Sequence, residues 1–334
     1  MSLKDLENIS KLMGEDQKLV QGSGGNISIK LGDNLWIKAS GTKLRNALNE
    51  KIFISLDIRN KENLKTMEDI EKIKNIKTTF LRPSIESLMH IFIKSNVVLH
   101  SHPIDIISKT MYEEGMNEIK EKLKDIKWHF IPYVKPGESL SNLIKKKQEE
   151  YYATVYILEN HGMIIGQDNV DKAFYLQQEV IHKLKTNPRN CIKADIKKLE
   201  EIISKIPNVK LPLFDSIHFL ANDDFSFKLV QKNSPFPDHA VFCDINPKVM
   251  LKDEFLLSSP NDKDYLFKEN KYIIVKDLGV ILRDDVDKNI QELLNAQAEI
   301  YIRIPPNSKT KNLSSKECYE LRNWEAEKYR KSMI

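Results

Sequence analysis

The segment Asn96 to Ile104 reads "NVVLHSHPI", a short apolar run that ends in two histidines one residue apart and is followed by a proline. The run predicts a buried β-strand, and side chains two residues apart on a strand point to the same face. His100 and His102 are therefore expected side by side at the end of a core strand. Two imidazoles on one face make a usable pair of metal ligands, so this segment directs the rest of the interpretation.

A third histidine lies in a comparable position. His161 stands in "LENHGMII", at the end of another apolar strand and before a glycine that permits a tight turn. Catalytic zinc sites use three protein ligands and one open position, and three imidazoles satisfy that requirement. The alternative is two core histidines and an unrelated turn histidine. The paired pattern favours a metal site formed by His100, His102 and His161.

One acid–base candidate lies on the helix that precedes the histidine strand. Glu86 stands near the start of "RPSIESLMHIFIKS", with Ser84 as the predicted N-cap. Glu86 is either an ordinary charge of a first helical turn or a carboxylate directed at the metal site, where it could move a proton. His90, four residues later, is interpreted as a packing residue.

The glycine cluster "GSGGN" ends the first predicted helix, and "ASGT" ends the strand that is predicted to pair with the strand after the cluster. Glycines let backbone N–H groups approach an anion, and Asn26 and Ser28 add polar groups. Ser40 and Gly41 could serve the same anion. The cluster lacks the G-K-[ST] ending of a P-loop, and a plain turn is the alternative.

Composition excludes several classes of protein. The chain of 334 residues is large enough for two domains, and its net charge of +4 is small. The basic run 145–147 borders "QEE" and is interpreted as a solvated helix face, so no nucleic-acid partner is expected. Cys191, Cys243 and Cys318 are few and far apart, which is typical of a reducing cytoplasm. The charged N-terminus does not resemble a signal peptide, and no membrane partner is expected.

The second part of the chain resembles the first faintly, which indicates either an internal repeat or two βα units that look alike by chance. The segment "YIIVKDLGVILRDDVDKN" can be laid on "VYILENHGMIIGQDNVDKA" with one residue dropped, so that Gly162 falls on Gly279. Leu278 then replaces His161. The predicted division is a catalytic domain over residues 1–190 and a smaller, degenerate second lobe over residues 191–334.

Taken together, these motifs resemble the class II aldolase/adducin family. The matching segments, in order, are "GGNIS", "IKASGT", "RPSIESLMH", "VVLHSHP", "IPYVKPG" and "LENHGMIIG", and they cover about residues 5–185. In the second lobe, "PFPDHAVF", "IIVKDLGVIL" and "LRNWEAEKYR" resemble the aldolase portion of fused rhamnulose-phosphate aldolase/short-chain dehydrogenase proteins. The resemblance implies a three-layer α/β/α fold with a mainly antiparallel central sheet.

The resemblance also implies the roles of individual residues. The family's metal, Zn²⁺ or another divalent ion such as Mn²⁺, Co²⁺ or Fe²⁺, falls on the three histidines, and the catalytic acid/base falls on Glu86. A tyrosine that enters from a neighbouring subunit matches Tyr133. The phosphate-binding positions match Gly25, Asn26, Ser40, Gly41 and Ser84. The sequence departs from the fuculose-phosphate pattern at Ile85, where a second serine is expected, so one phosphate donor is lost.

The implied activity is that of a lyase, a metal-dependent aldolase. It would cleave a ketose, in the first place a ketose 1-phosphate, to dihydroxyacetone phosphate and an aldehyde through an enediolate stabilised by the metal. A dehydratase or decarboxylase of the same family is the enzymatic alternative, and an adducin-like scaffold without catalysis is the other. An epimerase ranks lower, because this family's epimerases tend to carry aspartate where Glu86 stands. The expected assembly is a cytoplasmic homo-oligomer, a dimer or a tetramer.

Overall fold

A computed structural model of the chain describes residues 2–74 and 81–333. The described chain divides into two compact units, Met1–Lys185 with Asn323–Ile334 and Thr186–Arg322. The sequence analysis placed the whole C-terminal segment in the second lobe. The structure instead groups the last helix with the first unit, because its side chains contact loops near residues 23, 41 and 82.

The first unit is built on a seven-stranded sheet with the order β3-β2-β1-β4-β7-β6-β5. Its strands are β1 (Asn26–Leu31), β2 (Asn34–Lys38), β3 (Phe53–Asp57), β4 (Val97–Ser101), β5 (Trp128–Ile131), β6 (Val155–Leu158) and β7 (Gly162–Gln167). All neighbouring pairs are antiparallel except β5 with β6. The expected mainly antiparallel central sheet is therefore confirmed.

Helices cover both faces of this sheet. They are α1 (Leu3–Glu15), α2 (Met67–Lys72), α3 (Ser87–Phe92), α4 (Ile104–Thr110), α5 (Glu113–Lys122), α6 (Glu138–Glu150) and α7 (Val170–Leu184). Helices α1, α5 and α7 share one apolar cluster with β1, β4 and β7, and α6 and Met89 of α3 share another with side chains from the opposite face of β4 and β7. The fold is the three-layer α/β/α arrangement that the sequence predicts.

Successive side chains of β4 point to opposite faces of the sheet, and both faces are covered by apolar clusters. In β4, Val97 and Leu99 belong to one apolar cluster, and Val98 belongs to the other. The strand pairs with β1 so that Asn26 stands opposite His100. Residues opposite each other in an antiparallel pair share a face. The register therefore places the polar end of the glycine cluster beside the first histidine.

The second unit contains a smaller sheet with the order β8-β11-β10-β9. Its strands are β8 (Val209–Lys210), β9 (Lys248–Met250), β10 (Tyr272–Val275) and β11 (Gly279–Arg283). Its helices are α8 (Ile196–Ile203), α9 (Phe219–Asn222), α10 (Asp224–Leu229), α11 (Pro237–Phe242), α12 (Lys252–Leu257), α13 (Pro260–Glu269), α14 (Lys288–Tyr301) and α15 (Ser315–Asn323). The chain ends with α16 (Glu325–Ser332), which belongs to the first unit.

The small sheet has the same pairing as one half of the large sheet. The strands β8-β11-β10-β9 pair antiparallel, antiparallel and parallel, as do β4-β7-β6-β5. The turn residues before the glycines have the same left-handed backbone, with φ of 55° at Asn160 and 56° at Asp277. The strand–turn–strand–helix order expected around Gly279 is present, and duplication of the lobe stays a prediction.

The alignment of the two halves needs one correction. The helix N-caps are Asn169 in the first unit and Asp287 in the second, and each side chain accepts the N–H of the residue three positions later. Between the turn glycine and the helix N-cap, the second unit therefore has one residue more than the first, whereas the sequence alignment had given it one residue fewer.

Within the described residues, the structure contains no helix long and apolar enough to cross a membrane.

Candidate metal centre and active site

The three histidines selected from the sequence converge on one point in the first unit. His100 and His102 lie at the end of β4, and His161 lies in the turn between β6 and β7. Their nearest ligand atoms all lie within 4.8 Å of one another, and all three side chains are buried. Two ligands of one tetrahedral zinc ion are about 3.3 Å apart, so small side-chain adjustments bring the three nitrogens to ligand distance.

Hydrogen bonding fixes which nitrogen His100 presents. Its Nδ1 lies 3.0 Å from the carbonyl oxygen of Met163, which can only accept a proton. Nδ1 is therefore the N–H of the ring, and Nε2 carries the lone pair. That Nε2 lies 3.1 Å from Nε2 of His102. A backbone carbonyl that orients a histidine in this way is the usual outer partner of a metal ligand.

A glycine allows His161 to approach the other two. Gly162 has φ of +143°, and a Cβ built on it would lie 2.2 Å from Ser101 O and 2.9 Å from Cα of His102. Any side chain at this position would push the turn away from β4. Asn160, in the left-handed conformation, donates its N–H to Thr110 Oγ1 at 3.0 Å and anchors the other side of the turn.

Glu86 lies within the same cluster. Its Oε2 is 3.5 Å from His100 Nε2, and its Oε1 is 3.8 Å from His161 Nε2. The residue is 5% exposed, and Oε1 has no hydrogen-bond partner among the described residues. A buried carboxylate oxygen left in this way is directed at a site where a cation or a substrate proton would satisfy it. The structure therefore favours a carboxylate at the site over an ordinary helix-end charge.

The helix starts later than the sequence suggests. Ser84 was predicted as the N-cap, but α3 begins at Ser87 and Glu86 occupies the cap position. Ser84 instead makes the preceding turn, in which its Oγ accepts the N–H of Glu86 at 3.2 Å. The difference matters for the site, because a residue in the cap position lies outside the regular helix and Glu86 can turn towards the histidines.

His90 has a role that the sequence analysis missed. Its Nε2 contacts Asn26 Oδ1, and its Nδ1 lies 2.7 Å from Ser28 Oγ. The amide of Asn26 in turn donates to Glu86 Oε2 at 2.6 Å. Burial lowers the pKa of His90 well below its usual value, with smaller contributions from His100 and Lys30, so the ring is neutral. The four-residue spacing from Glu86 was the available signal for this contact.

The tautomer of His90 sets the direction of the whole chain of hydrogen bonds. Because the carbonyl Oδ1 of Asn26 can only accept, Nε2 of His90 carries the proton and Nδ1 accepts from Ser28. The Asn26 amide is then fixed with its NH₂ group facing the carboxylate. Three buried residues on β1 and α3, namely Ser28, Asn26 and His90, therefore hold Glu86 in one position.

The predicted anion-binding residues come from loops that meet beside Glu86. Gly25 has φ of +62°, and a Cβ there would lie 2.9 Å from His100 O. Ser40 donates its N–H to Arg82 O at 3.0 Å, which joins the "ASGT" loop to the loop of Ser84. Gly41 also has a positive φ, of +79°. The three loops thus form a continuous polar cradle, and its use for phosphate stays a prediction.

Tyr133 lies in the loop after β5 and is half-buried. Its backbone N–H donates to Glu159 Oε2 at 2.8 Å, so its loop is tied to the residue two positions before His161. The sequence analysis expects this tyrosine to act on a neighbouring subunit. That role remains a prediction.

The donor set fits a divalent metal ion. Three imidazoles around one point, one of them oriented by a carbonyl, are the ligands that zinc and similar ions prefer. The buried carboxylate of Glu86 adds negative charge beside them. The residues present are therefore sufficient to hold one ion and leave a coordination position open.

Comparison with known proteins agrees with this arrangement. Residues 4–187 match the family described as "Class II Aldolase and Adducin N-terminal domain". The chain is 27% identical over 177 residues to the L-fuculose phosphate aldolase of Methanocaldococcus jannaschii, a match that covers 50% of this chain and 85% of the relative. It is 29% identical over 199 residues to the "uncharacterized oxidoreductase YuxG" of Bacillus subtilis. That match covers 54% of this chain and only 29% of the relative's length.

Solved structures of related proteins also match part of the chain. The N-terminal class II aldolase domain of a conserved protein from Thermoplasma acidophilum is 22% identical, with a TM-score of 0.47, over 55% of this chain and 92% of that one. An L-fuculose 1-phosphate aldolase is 19% identical, with a TM-score of 0.40, over 55% and 82% of the two chains. Residues 4–187, which the family model matches, include the three histidines.

Proposed function

The chain belongs to the class II aldolase and adducin family, and from this premise we propose that it is a metal-dependent aldolase that cleaves a ketose, in the first place a ketose 1-phosphate, to dihydroxyacetone phosphate and an aldehyde. One observation carries the proposal. The three imidazoles and the carboxylate of Glu86 meet within about one side-chain length in a buried site. A scaffold protein has no use for such a cluster, which is costly to bury.

His100, His102 and His161 would hold the ion. When bound, a divalent ion supplies Lewis-acid stabilisation of the negative charge that develops on the substrate oxygens as the C3–C4 bond breaks. The protein's own residues then have to bind the substrate, orient it and move protons. Zinc is the first candidate, and other divalent ions fit the same ligands.

Glu86 is the residue placed to move a proton at carbon. In cleavage, the fragment that keeps the ketone carbon gains a proton at C3, and a carboxyl group beside the histidines can deliver it. The hydrogen bond from Asn26 occupies Oε2, whereas Oε1 faces the site. Only one of the two oxygens is therefore available for proton transfer, and its position is fixed by the chain of Ser28, His90 and Asn26.

The remaining roles follow the family pattern. The cradle of Gly25, Asn26, Ser40, Gly41 and Ser84 would bind the substrate phosphate with backbone N–H groups and hydroxyls. Tyr133 of a neighbouring subunit would exchange the proton of the aldehyde oxygen, so the active form would be a homo-oligomer. The cradle and the histidines are joined through Asn26, which contacts Ser84 at 3.5 Å and Glu86 at 2.6 Å.

The proposal is tested with the full chain purified without added metal. We expect about one divalent ion per chain, measured by elemental analysis, and release of dihydroxyacetone phosphate from at least one of a panel of ketose 1-phosphates. His161→Asn should lose the ion. His182→Asn, an exposed histidine at the end of α7, is the matched control and should keep it.

Two outcomes would contradict the proposal. A chain that binds no divalent ion cannot use this chemistry. The second outcome is a chain that binds the ion and releases water or carbon dioxide from a sugar derivative, but cleaves no ketose into dihydroxyacetone phosphate and an aldehyde. Such a chain would be a dehydratase or decarboxylase of the same family.

A further inference from the structure

A groove of about 570 Å³ in the first unit has an acidic lining, and we call it the acidic groove. Its walls come from helix α2, the loop before Glu86, the start of α6 and helix α16. Among the described residues that line it, the charged side chains are Glu68, Glu71, Arg82, Glu138 and Glu325. The excess of carboxylates over basic groups favours a cation as the ligand of this groove.

Two of the four carboxylates have basic partners. Arg82 Nη1 lies 3.2 Å from Glu325 Oε1, and the same guanidinium lies 4.3 Å from the centre of the Tyr329 ring. Lys74 Nζ lies 3.5 Å from Glu71 Oε2. The one basic side chain of the described lining is therefore already paired, and an anion would have to compete with a carboxylate for it.

The other two carboxylates keep an uncompensated charge. Glu138 Oε1 accepts the N–H of Met67 at 2.9 Å, which is a neutral partner. Glu68 forms no ion pair with any described residue. Both glutamates are exposed, so they stay charged in water and are accessible to a ligand. The acidic groove thus offers two carboxylates, one on α2 and one at the start of α6, for which a ligand can supply the positive charge.

These carboxylates do not form a site for a bare metal ion. Within residues 2–74 and 81–333, the metal-ligating side chains that converge in a group of three or more are the three histidines of the metal centre. A tightly held Ca²⁺ or Mg²⁺ ion needs several oxygen ligands around one point. The charge of the acidic groove is instead distributed along its walls, which suits a ligand that carries several separated positive charges.

The rest of the lining suits the carbon chain of such a ligand. Lys135 Nζ lies 4.3 Å from the centre of the Trp324 ring, so an ammonium group of the chain itself already contacts an aromatic face of this wall. Methylene groups are stabilised when they cover apolar surface. The apolar and aromatic residues of the lining are Met67, Pro83, Ile85, Trp324, Ala326 and Tyr329.

A buried hydroxyl also lines the acidic groove. Ser40 is 8% exposed, and its N–H donates to Arg82 O at 3.0 Å. Its Oγ takes part in none of the hydrogen bonds found among the described residues. Buried polar groups are normally satisfied, and a hydroxyl oxygen can accept from an ammonium group. A ligand in the groove would provide the donor.

We propose that the acidic groove is a binding site for a linear polyamine, a molecule whose ammonium groups are separated by short methylene chains. The ammonium groups pair with Glu68 and Glu138, and the methylene chains cover the apolar lining between α2 and α16. The groove of about 570 Å³ has the size of a small-molecule site, which favours one polyamine over a segment of a basic protein. Binding here is separate from the reaction at the histidines.

The test is calorimetric titration of the full chain with spermidine, putrescine and tetramethylammonium at one ionic strength. Spermidine has three positive charges and should bind with one saturable site. Putrescine, with two, should bind more weakly, and tetramethylammonium, with one compact charge, should bind weakest. Added salt should weaken spermidine binding, because the two glutamates are exposed and their charges are screened.

The double variant Glu68→Gln, Glu138→Gln should weaken spermidine binding by about 4- to 25-fold, since each exposed ion pair contributes a factor of about 2–5. Glutamine retains the oxygen that accepts the Met67 N–H, so the start of α2 is preserved. Glu149→Gln is the matched control, because it removes the same charge from the other end of α6, outside the acidic groove, and it should not change binding. If the double variant does not fold, Glu68→Gln alone should weaken binding by about 2- to 5-fold.

Several results would overturn the proposal. One is wild-type protein without saturable spermidine binding, and another is equal affinity in wild type and in the Glu68 and Glu138 variants. Displacement of spermidine by an equal concentration of Mg²⁺ would make the groove an ion site, and tighter binding of a trilysine peptide would make it a peptide site. Because the titration requires neither metal nor turnover, its outcome is independent of whether the chain proves to be an aldolase.

Discussion

Gly162 gives the most direct test of how the fold builds the metal centre. The change Gly162→Ala adds one carbon that would lie 2.2 Å from Ser101 O, a backbone atom that no rotamer change can move. Relief of this contact requires a shift of about 1 Å between the His161 turn and β4. Metal–ligand distances tolerate about 0.2 Å, so the three imidazoles would no longer close on one ion.

The energetic cost can be estimated from the same geometry. A non-glycine residue at φ of +143° costs about 1–3 kcal/mol, and overpacking of a buried contact costs about another 1–3 kcal/mol. The total of about 2–6 kcal/mol is comparable to the whole stability of a marginal domain, for which about 5–15 kcal/mol is usual. We expect a variant with a lower denaturation midpoint and a metal affinity reduced by about 10- to 100-fold, measured by competition with a chelator.

Two further glycines supply controls. Gly32→Ala shares a positive φ, of +57°, but has no atom within 4 Å of the new carbon, so it should cost only about 1–2 kcal/mol and leave metal binding unchanged. Gly279→Ala, at the corresponding turn of the second unit, meets His218 and Leu199 and should lower stability without affecting the ion. Wild-type metal affinity in Gly162→Ala, or an equal loss of affinity in Gly279→Ala, would refute the reasoning.

Other substitutions test the remaining parts of the site and fold. Glu86→Gln should keep the ion and reduce turnover by about 10²–10⁴-fold, because the proton transfer is lost while the ligands stay; near-normal turnover would make it a helix-end charge. His90→Leu leaves Asn26 Oδ1 without this donor and should cost about 1–3 kcal/mol in urea unfolding, with the ion retained; an unchanged free energy of unfolding would contradict the hydrogen-bond chain. In the second unit, burial lowers the pKa of His218 from 6.5 to about 4. Below pH 6.5 this histidine binds a proton in the unfolded chain but not in the folded chain. Its titration should therefore lower the free energy of unfolding by about 3 kcal/mol as the pH drops from 7 to 4. His218→Asn should make that fall smaller, and an equal pH dependence of unfolding in both proteins would show that this histidine is not its source.

Local sequence rules were sufficient for the parts of the site that depend on neighbouring residues. The two-residue period of a strand places His100 and His102 on one face, and the structure has them there. The "NHG" pattern predicts a tight turn, and the structure shows that turn with a positive φ at Asn160. The three-layer fold was implied by the resemblance of the ordered motifs to the class II aldolase/adducin family, and the structure has that fold.

Other contacts could not be predicted because they join residues that are far apart in the chain. His90 was interpreted as a packing residue. Its imidazole gains a partner only when α3 packs beside β1 and brings Asn26 to it, so this contact could not be inferred from neighbouring residues. The start of α3 at Ser87 was also missed, because Ser84 forms a turn that ties it to Glu86.

The sequence by itself determined the chemical character of this protein. Three imidazoles and a glycine-rich cradle lie at strand ends and Glu86 lies at the start of a helix, and each of these positions depends on the backbone preferences of a few adjacent residues. Tertiary structure alone decided how these pieces act together. It brings Arg330 to Ser23 across 307 residues and joins the last helix to the first unit. The physical reason is that backbone periodicity extends over only a few residues, whereas contacts between distant segments depend on the packing of whole helices and strands.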